Sequence, residues 1–238
     1  MHIHVIDTET TGLDPEKDAV VEFAAVKIVE AKALGAGGDQ TFWHVKARWS
    51  SFVDPRRPIP PEASAVHHII DADVADAPAL GNAVANVFGP DWPDEIDILA
   101  AHNCRFDLGF LPMLKDKRWI DTYRCALHIW PDAPSHSNQA LRYWLKIDLP
   151  RDGAHRALAD ATVTAHVLVA ILRERTVDDL IKLSTKAVVL RKVGFGKHFG
   201  SLWTEVPHDY LSWAAKQDFD PDVRFTIKSE IARRSKEF

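Results

Sequence analysis

Met1-His-Ile-His-Val-Ile-Asp7-Thr-Glu9-Thr-Thr-Gly12 opens the chain, and the fold hangs on how its alternation ends. Apolar and polar residues alternate up to Asp7 and then meet a Thr/Gly turn, which predicts a strand ending at Asp7. Asp7 and Glu9 stand two apart on extended backbone, so their side chains point the same way. Such a pair suits shared ligation of a hard divalent cation, which prefers oxygen ligands and keeps waters for a substrate. Two more acidic words repeat the theme. His102-Asn-Cys-Arg-Phe-Asp107 follows the apolar run Ile96 to Ala101, and His155-Arg-Ala-Leu-Ala-Asp160 enters an alanine-rich helical pattern.

Asp107 and Asp160 fall where helices begin, a stable place for a carboxylate and one that brings it near phosphate. Either acid alone reads as a simple helix cap. All four together, with histidines at matching places, read as a metal site for chemistry on a phosphate ester. Two divalent ions about 3.5–4 Å apart can clamp a phosphodiester between an activated water and the departing oxygen. A general base must then take the water's proton. His155 is the candidate, because histidine titrates near working pH and this one precedes Asp160 on a loop. Position alone would make it an ordinary surface residue, one of 12 histidines.

The totals fit a globular protein with a real core: 46% hydrophobic and 26% charged residues. The net charge of −5 gives no basic signature of nucleic-acid binding. Acids that hold cations are neutralised by them, so a nucleic-acid substrate is not excluded. Cys104 and Cys125 are too few for a disulfide scaffold and read as reduced and structural. No secretory signal is visible at the N-terminus and no stretch approaches the roughly 18 apolar residues of a membrane helix. A cytoplasmic location and no membrane partner are expected.

Along the chain, Ala19 to Val29 and Thr41 to Val53 read as strands, with glycine-rich Leu34 to Asp39 as a turn or flexible insertion between them. Prolines around residue 60 lead into a short helix. Helical spacing is expected over Pro78 to Phe88, Phe106 to Leu114, Thr122 to Trp130 and Asn138 to Leu145, and most strongly over Ala157 to Leu172. Ile96 to Ala101 reads as a buried strand. Strands first, then alternating helix and strand, predict an α/β fold with a mixed sheet flanked by helices. Thr176 would cap a connecting helix to Leu183. Beyond it, Pro207 and Pro221 sit where helices would start, the latter behind a capping Asp220.

The three acidic words resemble the exonuclease motifs of the DEDDh (DnaQ-like) family, which includes proofreading subunits, ribonuclease T, oligoribonuclease and exodeoxyribonuclease X. The exodeoxyribonuclease X branch is the most similar. Ile59-Pro-Pro-Glu-Ala-Ser-Ala-Val-His67, Leu127-His-Ile-Trp-Pro131, Ser137-Asn-Gln-Ala-Leu141 and the tail segments Phe195-Gly-Lys-His-Phe-Gly200 and Tyr210-Leu-Ser-Trp213 carry that likeness. The resemblance implies a ribonuclease-H-like domain over 1–175 and a small, mostly helical accessory domain over 187–238. It implies two Mg²⁺ ions, with Mn²⁺ able to substitute, held by Asp7, Glu9, Asp107 and Asp160. It makes His155 the general base. The implied activity is 3′–5′ hydrolysis releasing nucleoside 5′-monophosphates, and the implied partner is a nucleic acid with a free 3′ end, DNA favoured. A homodimer stays open. The rivals are an exoribonuclease on short RNA or tRNA ends and a binding module that lost catalysis. A complete acid set speaks against the second rival.

Further contacts are expected from the turn Thr10, Thr11 and Gly12, whose backbone amides can approach a terminal nucleotide where glycine lacks a Cβ. Leu13 either wedges beside the terminal base or tucks into the core. His67 either meets the terminal sugar or phosphate, as the resemblance implies, or caps its helix. Asn103 joins the candidate substrate contacts, although its place suits ordering the loop before Asp107. The cations from Arg224 to Lys236 read as a solvated helix end or a phosphate grip, the former preferred, and Trp203 and Trp213 read as a small core.

Overall fold

β1 (His2–Thr10) runs through a five-stranded sheet with the order β3-β2-β1-β4-β5. The computed structural model describes residues 1–33, 40–89, 96–150 and 155–236. β2 (Val20–Ala33) and β3 (Gln40–Phe52) add antiparallel, while β4 (Ile98–Ala101) and β5 (Arg118–Asp121) add parallel on the other side. The stretch Leu34 to Asp39 lies outside the described residues. β1 does not end at Asp7. It keeps pairing with β2 through Glu9↔Glu22 and Thr10↔Val20, with a bulge between Glu9 and Thr10. Both acids therefore sit inside the strand, where the ladder fixes their direction. β5 has no counterpart in the sequence reading; four residues are too few to display a period.

Both sheet faces are covered, which is why β1 and β2 are apolar on both sides. On one face Ile3, Val5, Val26, Ile98 and Ile120 meet Ala161, Ala165 and Leu168. On the other, Ile6, Phe23 and Leu99 meet Val84, Phe110 and Leu111. The helices are α1 (Pro61–His67), the single turn α2 (Asp71–Val74), α3 (Leu80–Phe88), α4 (Arg105–Phe110), α5 (Thr122–Ile129), α6 (Asn138–Trp144), α7 (Ala157–Ile171) and α8 (Val177–Thr185). α4 stops at Phe110, short of the expected Leu114. Pro112 lacks an amide hydrogen and disfavours helical backbone at Leu111, so Pro112–Leu114 continues only as a 3₁₀ turn. α7 buries small residues such as Ala157, Ala161 and Ala165 against the sheet, so its backbone can approach closely.

The tail forms α9 (His208–Ala214) and α10 (Pro221–Arg234) over a core of its own, made by Val193, Trp203, Val206, Leu211, Ala214 and Ile227. Asp220 caps α10 by accepting from the Asp222 amide. Trp203 is buried, but Trp213 is half exposed, so it stands at the rim and not within that core. The α10 cations are largely engaged within the tail: Arg233 and Arg234 bond Glu230, and Arg224 bonds Asp218. The tail docks through Asp222, which accepts from both terminal nitrogens of Arg124 on α5 (2.5 and 3.1 Å) and from the Val188 amide (3.0 Å). Leu180 of α8 belongs to the sheet core, and Ser184 Oγ accepts from the Asp121 amide, so this connecting helix is fastened to the sheet.

Candidate active site

Asp7 and Glu9 project from the middle strand, Asp107 from the first turn of α4, and Asp160 from the first turn of α7. The residues ahead of each helix turn sharply. Asn103 (φ 71°) and His155 (φ 61°) both adopt the left-handed conformation that non-glycine residues seldom enter. Asn103 is exposed and its amide donates to Asp121 Oδ1 (3.2 Å), which orders the loop before Asp107. His155 is exposed, and its amide donates to Asp160 Oδ2 (3.0 Å).

The acids share one electrostatic environment. Burial, then the charges of Asp107, Glu9, Asp160 and Glu22, hold the Asp7 carboxyl well above the usual carboxylate range. Burial pushes Glu9 up to about 8, with Asp160 and Glu22 adding to the shift and Arg156 opposing it. Burial pushes Asp107 up to about 7, against the hydrogen bond it accepts from Thr8 Oγ1 (2.9 Å). Carboxylates crowded in this way repel, and a cation relieves that repulsion. The oxygen-only, acid-rich donor set fits a hard divalent ion. Among the described residues no three His, Cys, Asp or Glu side chains close into a ready cage. Hydrogen-bond donors instead satisfy individual oxygens: Thr8 on Asp107, and Gln139 Nε2 (2.9 Å) with the His155 amide on Asp160.

The turn after β1 is tightly built. Thr11 Oγ1 donates to Asp18 Oδ1 (3.2 Å) and accepts from the Ala19 amide (3.0 Å), and the Thr11 amide itself donates to the Ala19 carbonyl (2.8 Å). Thr10 Oγ1 donates to the Gly12 carbonyl (2.6 Å). Thr11's amide is thus used inside the turn, contrary to the expectation that it faces a nucleotide, and both hydroxyls are used there too. A Cβ at residue 12 would lie 2.4 Å from the Asp18 carboxylate and would displace it from its bonds to Thr11 and the Asp14 amide, so Gly12 suits this turn. Leu13 is 83% exposed, which rules out the core placement and leaves an apolar side chain in solvent beside Asp7 and Glu9 in sequence.

His67 ends α1 and is buried; its Nδ1 accepts from the Ile69 amide (3.1 Å), so the ring proton is assigned to Nε2. Burial lowers its pKa, with the nearby Thr10 backbone pulling the other way, and Nε2 is buried without a hydrogen bond of normal geometry. The ring thus holds the turn after α1 through Nδ1 and is set against the Thr10 backbone. His102 has a different role. Its ring lies between Thr122 Oγ1 (2.9 Å) and the His136 carbonyl (2.8 Å), and burial lowers its pKa, so it ties the Asp107 loop to α5.

Sequence reasoning gave no role to Thr8, Glu22, Asn138 or Gln139. Thr8 is legible only as the residue between two acids. Asn138 Nδ2 donates to the Asp160 carbonyl (3.0 Å) and Gln139 to its carboxylate, contacts that span 22 and 21 positions and leave no local signal.

A family model described as "Exonuclease" matches residues 4–168. The chain belongs to the exonuclease family. It is 30% identical over 236 residues to Exodeoxyribonuclease 10 of Escherichia coli (strain K12), covering 95% of this chain and 97% of that protein. It is 34% identical over 198 residues to the DNA polymerase III subunit epsilon-like protein of Rhodobacter capsulatus, covering 80% of this chain but 26% of that longer protein. Among solved structures, exonuclease X in complex with 5′ overhanging duplex DNA superposes with a TM-score of 0.61 at 31% identity, covering 76% of this chain and 99% of that one. Exonuclease I of E. coli in complex with a dA16 oligonucleotide shares the fold, with a TM-score of 0.53 at 17% identity over 76% of this chain and 42% of that one. The protein is a 3′–5′ exonuclease, a hydrolase of phosphodiester bonds with a nucleic-acid substrate, in a family that depends on divalent metal. No helix among the described residues is long and apolar enough to cross a membrane.

Proposed function

We propose that this exonuclease prefers DNA and uses two Mg²⁺ ions, with Mn²⁺ able to substitute, to release nucleoside 5′-monophosphates from 3′ ends. The observation that carries the reading is the convergence of Asp7, Glu9, Asp107 and Asp160, drawn from one strand and two helix starts, close enough that the charges of Asp107 and Asp160 hold the Asp7 and Glu9 carboxyls up. These four acids would hold the cations. When bound, divalent ions there supply charge neutralisation and acidify water. Thr8 orients Asp107, Gln139 orients Asp160, and His155 accepts the proton of the attacking water. The acids and His155 come from one chain, so the reading needs no second copy. The DNA preference is supported by the likeness to an exodeoxyribonuclease along nearly the whole chain. Purified protein should degrade 5′-labelled DNA oligonucleotides stepwise from the 3′ end only with a divalent cation. Faster turnover of matched RNA would reverse the substrate assignment.

Substrate contacts follow from what the site offers. Leu13 abuts the terminal base, His67, set against the Thr10 backbone, lies toward the terminal sugar or phosphate, and the Gly12 turn lets backbone approach. Asn103 acts on the loop and not on substrate. Leu13→Ala should lower kcat/KM by roughly 5–10-fold, the worth of about one stacking contact. Steady-state assays on oligonucleotides check this, and an unchanged KM and kcat would remove Leu13 from the site.

The separate tail core supports an accessory domain over 187–238 beside an exonuclease domain over 1–175. α8 joins them but packs with the sheet, so the division falls after Lys186. The rim ring of Trp213 and the exposed Phe199 would give this domain a surface for grip on a strand.

A further inference from the structure

Glu22 lies near the start of β2, directly across from Glu9, and is only 4% exposed. A buried carboxylate needs partners, and among the described residues its hydrogen-bond donors come from the segment just after His155. Arg156 donates from Nε to Oε2 (3.0 Å) and from Nη2 to Oε1 (2.8 Å), and the Ala157 amide donates to Oε2 (3.0 Å). The Arg156 guanidinium also lies over the Phe52 ring, 5.3 Å from its centre, and Phe52 is the cross-strand partner of Glu22. The forked geometry fixes direction as well as distance, which a point charge would not.

Among the described residues, the hydrogen bond of His155 comes from its main chain and not from its ring. The residue is exposed and left-handed, and its amide bond to Asp160 leaves the ring side unrestrained by that contact. The next residue is clamped to the sheet on two sides. The pair sets a buried Glu22 against a partly exposed Arg156 (side chains 5% and 37% exposed), and such a pair adds little to stability over apolar packing, so its presence asks for another reason. The Glu22 charge is already met by the Arg156 guanidinium, so it stands beside the candidate metal-binding acids as an anchor and not as one more ligand.

We propose that Glu22 and Arg156 are positioning residues that hold His155 in place for proton transfer. The proposal rests on His155 being the general base. Clamping the neighbouring residue sets the backbone from which the imidazole reaches the reacting water, and a displacement near 1 Å is enough to cost about 10²-fold in rate.

The test is a double-mutant cycle on saturating single-stranded DNA, with circular dichroism confirming the fold of each full-length variant. Arg156→Ala should lower kcat about 10–100-fold with KM within about twofold. Arg156→Ala combined with His155→Ala should be no slower than His155→Ala alone, because the clamp acts through that side chain. Glu22→Gln, which leaves no buried carboxylate without its counter-ion and only the partly exposed Arg156 unpaired, should behave in the same way and serves if Arg156→Ala fails to fold. Losses that multiply in the double variant, or a wild-type kcat in the single one, would overturn the positioning role. A wild-type rate for His155→Ala alone would instead remove the base assignment, an outcome the cycle distinguishes.

Discussion

Asp7→Asn is expected to abolish cleavage, by roughly 10³-fold or more, equal to about 4 kcal/mol of transition-state stabilisation. Asp7 is in the central strand and lies buried within reach of the charges of Asp107, Glu9 and Asp160. The amide keeps the shape and hydrogen-bonding size of the carboxyl but cannot supply the anionic charge that a hard cation requires. The fold should survive, and the reason lies in the sign of the linkage. An acid whose pKa is higher folded than unfolded weakens the fold once pH passes the unfolded value, and the penalty grows until pH passes the folded one. For Asp7 the folded value is the higher, through burial and then its acidic neighbours. In chelator near pH 8, Asp7→Asn should therefore melt no lower than the parent protein. Added Mg²⁺ or Mn²⁺ should raise the Tm of the parent, since a ligand bound by the folded state stabilises it, and should raise that of the variant much less. Nuclease assays and thermal melts with and without cation check both halves. A fully active Asp7→Asn protein would refute the metal role of this strand.

His155→Ala is expected to slow turnover by roughly 10²–10⁴ while leaving substrate affinity nearly intact, the usual range for loss of a general base. His155 is exposed and its main-chain hydrogen bond to Asp160 does not involve the ring, so removing the imidazole leaves the backbone anchor in place. The loss should appear in kcat with KM little changed, as for a group used only in the transition state. Single-turnover cleavage and equilibrium binding of a labelled oligonucleotide separate the two quantities. If the rate matches that of the parent, another residue takes the proton. His102 is a poor substitute, since both of its ring nitrogens are engaged by Thr122 and the His136 carbonyl.

Much of the fold is legible in one dimension because its periods are local. The strand at His2, the two strands after it, the alanine-rich α7 and the caps at Thr176 and Asp220 all follow from alternation, helical spacing or a single capping oxygen. The exceptions are equally physical. β5 is too short to show a period, and α4 is cut by a proline that the apolar spacing of Phe106 to Leu114 hides. β1 runs on past Asp7 because its partner strand continues, which is a property of the pair.

The acids themselves are readable as residue types, Asp7 and Glu9 by their two-residue spacing on a strand and Asp107 and Asp160 by their places at helix starts. The family, the acid set and the shared direction of Asp7 and Glu9 along one strand are all written in short spacings, and one dimension suffices for them. The environment of those acids is not, and it took the folded chain to set it. Folding crowds Asp7 with Asp107 and Asp160, exposes Leu13, sets Gln139 on Asp160 and locks Arg156 onto Glu22. The Arg156–Glu22 contact spans 134 positions, and no local spacing encodes a pairing that exists only once β2 and the start of α7 are brought together by their shared core.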